Sequence, residues 1–149
     1  MNINNVKFLV GDAERLSMFS DNTFDGVISF STLRYVPNPQ KAINEIFRVI
    51  KKGKSAVVDF PNKRSPWFNY LKPLLTGETH IHDSQYSTSK CKMFLKNAGF
   101  REVKAKRILY TPKSTPSYLL GAMKGVDFIG ERMPVINEFA AIIMCRGIK

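Results

Sequence analysis

Along the chain, apolar positions switch between short continuous runs and a helical repeat. Three runs are closed by turn or breaker residues. Phe8 to Val10 in KFLVGDA stops at Gly11 and Asp12. Phe24 to Phe30, FDGVISF, follows a polar stretch from Ser17 to Thr23 in which Asp21 and Asn22 are turn residues. Ser55 to Phe60, SAVVDF, stops at Pro61 and Asn62. Runs of this length between turn signals predict buried parallel strands. Between the second and third, NPQKAINEIFRVIKKG repeats Ala42, Ile43, Ile46, Phe47, Val49 and Ile50 at helical spacing. Asn38 is placed as its N-cap, Pro39 in its first turn, Lys51 and Lys52 in its last, and Gly53 just beyond. A second helix is predicted in STSKCKMFLKNAGF, which puts Cys91, Phe94, Leu95 and Ala98 on one face and closes at Gly99. Arg101 to Tyr110 reads as a strand and Phe139 to Cys145 as the last one. Tyr118 to Ile129 reads as a helix, weakened by Gly121 and Gly125. Lys63 to Gln85 is less regular and predicts a short helix and a loop.

Strands alternating with helices imply an α/β domain with a largely parallel sheet, whose ligands bind outside the carboxyl ends of the strands. Those places are Gly11 to Glu14, Ser29 to Leu33 and Asp59 to Asn62. The composition fits one folded domain: 149 residues, 44% of them apolar and 23% charged, which excludes a disordered, collagen-like or coiled-coil chain. No run approaches the roughly 18 apolar residues of a membrane span, and the start MNINNVKF lacks the pattern of a secretion signal. A soluble, cytoplasmic chain is therefore expected, with Cys91 and Cys145 as reduced core residues. The net charge of +11 is uneven. Residues 1–62 carry 8 Lys/Arg against 6 Asp/Glu, and residues 63–149 carry 15 against 6. Such a basic half could bind nucleic acid, an acidic membrane surface or a phosphorylated substrate, with a merely soluble basic surface as the competing reading, since net charge identifies no partner.

The stretch GDAERLSMFSDNTFDGVISFSTLRYVPNPQKAINEIFRVIKKG, Gly11 to Gly53, resembles the middle of a class I S-adenosylmethionine-dependent methyltransferase of the type 11 group. In that family a strand ending in GDAE leads through a polar loop to an FD-headed strand, a segment like LRYVPNP and a helix like EIFRVIKKG. A less specific likeness continues through SAVVDFPN, the helix ending in NAGF and a final antiparallel strand. The resemblance implies a Rossmann-like sheet, mostly parallel with a C-terminal antiparallel strand. It also implies S-adenosyl-L-methionine as cofactor and a small-molecule methyl acceptor. Asp12 and Ala13 would hold the adenine, the carboxylate accepting from the exocyclic amine and the backbone N–H donating to a ring nitrogen, with Glu14 close by. Ser29, Phe30 and Ser31 would lie beside the methionine part. Outside the motif, Asp12 reads equally as a turn-forming residue and Ser29 to Ser31 as an ordinary strand exit. Phe19 suits the core better than the adenine.

The chain departs from the family in two respects. It shows neither a glycine-rich loop after a first strand nor an acidic residue after a second, so the first two strands are expected to be absent. On this reading the chain is one partial domain, with 1–62 as the cofactor-side core and 63–149 as the acceptor side. The missing N-terminal segment would be supplied in trans, or the exposed sheet edge would recruit another copy. KKGKS also replaces the usual KPGG, which alters a turn. Trp67, Tyr35, His80, His82 and Tyr86 are candidates for the acceptor pocket, with ordinary packing or loop solvation as the competing reading. His80 and His82 flank Ile81 without a third ligand nearby, so no metal site is predicted, and no catalytic base can be named. Two further classes remain open: a non-catalytic interaction module on a degenerate methyltransferase core, and a nucleic-acid-binding domain resting on the basic half.

Overall fold

The computed structural model describes residues 5–66, 69–70, 74, 84–108, 117–130 and 132–149. Its elements are β1 (Phe24–Ser29), α1 (Pro39–Val49), β2 (Ile50–Pro61), α2 (Thr88–Ala98), β3 (Arg101–Ile108), a 3-10 turn (Ser117–Leu119), α3 (Leu120–Gly130), α4 (Pro134–Asn137) and β4 (Ile142–Ile148). The four strands form one sheet in the order β1-β2-β4-β3. β1 and β2 are parallel, and β4 runs antiparallel to both β2 and β3. Three strands therefore point one way and the C-terminal strand alone is reversed, as the Rossmann-like reading requires.

Helix α1 forms where its end signals place it. The Asn38 side chain accepts the Lys41 N–H at 3.2 Å, Pro39 occupies the first turn, and Ala42, Ile43, Ile46 and Val49 are buried. The C-terminal end differs from expectation. α1 stops at Val49, and Lys51 and Lys52 belong to β2. Phe24 pairs with Ile50 and Gly26 with Ser55, so residues 51–54 loop out of the ladder. Gly53 takes φ +75°, its N–H donates to the Lys149 carbonyl at 2.9 Å, and Asp25 holds Lys51 at 2.9 Å. The lysines are drawn out of the helix because these partners lie on the sheet.

Helix α2 is capped by the Ser87 side chain and ends at Gly99 in the left-handed region, φ +104°. Phe100 N–H donates back to the Leu95 carbonyl at 3.1 Å, closing the C-terminal turn. Both helices cover the sheet face bearing Ala56, Val58, Phe60, Ile143 and Cys145, and these residues with Ile43, Ile46, Cys91, Phe94 and Leu95 form the core. Cys91 and Cys145 are free and buried there, as expected. By strand alternation, the opposite face carries the row Ile28, Val57, Arg146 and Lys104. Ile28, Lys104 and Arg146 are exposed.

Phe8 to Val10 overturn the expectation of a buried strand. Residues 6–11 carry no regular structure, Phe8 is 91% exposed and Val10 100%. An apolar run becomes a strand only when a neighbour accepts its backbone hydrogen bonds, and among the described residues no strand lies beside it. The other differences are small. β4 begins three residues later than expected, and β3 is described to Ile108, with Tyr110 outside the described residues.

Candidate functional site

Two loops and one buried carboxylate make the site. The first loop, Gly11 to Leu16, is a tight turn in which Arg15 N–H donates to the Asp12 carbonyl at 3.0 Å. Asp12 Oδ1 accepts the Glu14 N–H at 2.8 Å. Asp12 is thus the turn-forming residue the alternative reading described, and its exposure leaves the second carboxylate oxygen open to a donor from outside. Ala13 is half-buried against the core. Glu14 Oε1 accepts the Asn38 N–H at 2.7 Å, tying the loop to the start of α1.

The polar segment after this loop is held by α1. Arg48 donates to both oxygens of Glu45 at 2.8 Å, to Asp21 Oδ1 at 2.8 Å, and to the carbonyls of Leu16 and Phe19 at 2.9 Å. Glu45 in turn accepts the Leu16 N–H at 2.8 Å. The Arg48 hydrogen bonds lower the Glu45 pKa against the opposing effect of burial, and the Glu45 and Asp21 carboxylates raise that of Arg48. Phe19 sits edge-on to Phe24 at 4.8 Å, which gives it the packing role.

The second loop leaves β1 at Ser29, which pairs with Val58 in the parallel ladder. Phe30 is exposed and Ser31 adopts φ +53°. That backbone turn aims the Ser31 N–H at Asp59 Oδ1, 2.7 Å away. Leu33, fully buried, pins the loop to the core. Asp59 lies near the carboxyl end of β2 and is 5% exposed. Burial pushes its pKa up, while the Ser31 N–H and the charge of Arg34 act in the opposite direction. Of the expected strand-end positions, Ser31 and Asp59 come together, whereas Glu14 is joined to the N-cap of α1, Asn38.

Asp59 opens one of the three strand ends named from the sequence but was given no role there, although a carboxylate inside the apolar run SAVVDF is itself a signal, since charged residues are rarely buried without a partner. Of the acceptor-pocket candidates, Tyr35 is exposed. Tyr86 is half-buried and packs edge-on against Phe60 and Phe94, at 5.3 and 5.6 Å. Trp67, His80 and His82 lie outside the described residues.

Parallel strands β1 and β2, a reversed last strand β4 and two helices packed on one sheet face are the arrangement of a class I methyltransferase fold. The chain belongs to the family described as Methyltransferase domain, whose model matches residues 1–111. It is 33% identical over 110 residues to 2-methyl-6-phytyl-1,4-hydroquinone methyltransferase 1 of Oryza sativa, covering 71% of this chain and 30% of that protein. It is 30% identical over 124 residues to the ubiquinone/menaquinone biosynthesis C-methyltransferase of Rickettsia felis, covering 70% of this chain and 50% of that one. The chain thus spans half or less of these curated relatives. A SAM-dependent methyltransferase from Thermotoga maritima, solved as a possible histamine N-methyltransferase, shares the fold at a TM-score of 0.69 and 22% identity, covering 95% of this chain and 63% of that one.

Proposed function

We propose that the chain carries the adenine and methionine side of an S-adenosylmethionine site, in a methyltransferase whose acceptor is a small molecule of the quinol type. The observation that carries this reading is that the family match over residues 1–111 takes in both site loops and Asp59. The quinol class rests on the printed names of the curated relatives. In this reading 1–62 forms the cofactor side and 63–149 the acceptor side.

The residues present fit the cofactor. Asp12 offers an outward carboxylate oxygen suited to an exocyclic amine, and the neighbouring Ala13 N–H suits a ring nitrogen. Glu14 spends one oxygen on Asn38 and fixes the position of Asp12. Ser29, Phe30 and Ser31 offer strand-end backbone and an exposed aromatic ring to the methionine part. When bound, the cofactor supplies an electrophilic sulfonium methyl. The protein's share is then alignment of acceptor and methyl and exclusion of water. Asp59 positions the second loop through Ser31. Its raised pKa also makes it a candidate to hold an acceptor proton.

Ultraviolet crosslinking with labelled S-adenosylmethionine tests the reading. Label is expected in the peptides holding residues 11–16 and 29–35. Label confined to residues 101–149 would overturn it.

A further inference from the structure

The β3 edge of the sheet carries a second feature. A cleft of about 550 Å³ lies between β3, the start of α2 and α4, lined by Lys92, Lys106, Arg107 and Arg132, with Glu138 as its one carboxylate among the described residues. Glu138 is engaged by Arg64. Arg107 is held in place by neutral oxygens, Thr88 Oγ1 at 3.0 Å and Asn137 Oδ1 at 3.4 Å, so its positive charge is oriented without being neutralised. Such a lining has the chemistry to take anionic oxygen, and guanidinium groups suit phosphate in particular.

Helix α3, whose Phe128 contacts the cleft residue Arg132, carries apolar side chains turned to solvent. Phe128 is 59% exposed and Ile129 58%, and Leu120 and Val126 are exposed as well. Val135 and Ile136 of α4 are exposed too. Arg132 joins the two features. It lines the cleft, its guanidinium stacks 3.5 Å from the Phe128 ring centre, and it donates to the Phe128 carbonyl at 2.9 Å. Among the described residues, no helix is long and apolar enough to cross a membrane.

We propose that this face docks on an anionic lipid bilayer, with headgroup phosphates in the basic cleft and the apolar side chains of α3 at the acyl boundary. A short helix with aromatic and aliphatic residues beside clustered cations has the chemistry of an interfacial element. Charge selects this occupant. Two copies meeting through the same face would bring two positive clefts together, whereas an anionic surface complements the +9 of residues 63–149. A free phosphate would fill the cleft and leave the exposed apolar side chains of α3 uncovered. The inference stands independently of methyl transfer, so its failure leaves the proposed function untouched.

Co-sedimentation of the full 149-residue chain with phosphatidylcholine vesicles, with and without phosphatidylglycerol, tests it. Binding is expected only with phosphatidylglycerol and is expected to weaken as salt rises. The pairs Phe128→Ser with Ile129→Ser, and Lys106→Glu with Arg132→Glu, should each weaken binding by more than about tenfold. Circular dichroism should be unchanged, and Lys41→Glu on α1 should have no effect. Equal binding to phosphatidylcholine alone would overturn the proposal. So would insensitivity to the Phe128/Ile129 pair together with full competition by inorganic phosphate, a dimer dissolved by that pair with no vesicle binding, or retention of single-stranded RNA in preference to vesicles.

Discussion

Asp59 carries the site's most constrained charge. Burial raises its pKa above the ordinary 3.8, so the folded state holds its proton more tightly than the unfolded chain. Its contribution to stability is then complete below about pH 3.8 and is lost as pH rises through the higher folded value. Asp59→Asn keeps an acceptor for the Ser31 N–H and removes the buried charge. It should raise the melting temperature at neutral pH and flatten the pH dependence above 3.8. A lower melting temperature at neutral pH would mean that Arg34 and Ser31 more than offset burial. Asp12 is a different kind of residue, exposed and bound to its own turn. If it also meets the cofactor amine, Asp12→Ala should weaken calorimetric binding of S-adenosylmethionine by about 1–3 kcal/mol, while Asp12→Asn, which preserves the turn, should lose less. Both loops were legible as local turn signals after apolar runs, GDAE and FS, although only the second follows a strand, β1, and their roles came from the family resemblance. The Ser31 to Asp59 bond spans 28 positions and depends on how β1 and β2 register, which no local pattern encodes.

At the scale of elements, end signals were more legible than strands. Asn38, Pro39, Ser87 and Gly99 mark helix ends by chemistry contained within a few residues, and each sits where that chemistry predicts. The left-handed Gly99 also approaches Phe47, where an added Cβ would come within 2.9 Å of the ring. Gly99→Ala should therefore lower stability by more than about 1 kcal/mol, combining a strained backbone with a displaced ring, measurable by urea denaturation. Strand ends depend on partners instead, so Lys51 and Lys52 read as helical until Asp25 and Lys149 draw the segment onto the sheet. The Glu45–Arg48 pair makes a related point, since α1 organises residues 16–21 through side chains rather than through a ladder. Arg48→Met should speed hydrogen exchange at the Leu16 and Asn22 amides while leaving Val57 and Val58 protected. Acid should act similarly. The lowered Glu45 pKa means that its stabilisation is present above the ordinary 4.5 and is lost as pH falls through the folded value.

At the scale of the whole molecule, the described helices α1 and α2 cover one face of the sheet, the site loops lie beside α1, β1 and β2, and the basic cleft lies at the β3 edge. β1 has a single neighbour, β2, among the described residues, so its outer edge offers unused ladder groups. Beside the fold lie Phe8 and Val10, exposed although their sequence has the composition of a buried strand. These two facts have a common explanation if further strands belong between them. We expect the amides of residues 6–10 to exchange as fast as unstructured peptide in the chain alone, while residues 55–60 stay protected. Fusing two strands joined by a glycine-rich loop ahead of Met1 should protect residues 6–10, cover the β1 edge and strengthen S-adenosylmethionine binding together, because one segment would supply all three. Light scattering separates this from recruitment of a second copy, which would give a concentration-dependent dimer in the unfused chain. If residues 6–10 are already as protected as 55–60 in a monomer, or if the unfused chain binds the cofactor at low-micromolar concentration, the edge needs no partner and the site is built differently from the family's.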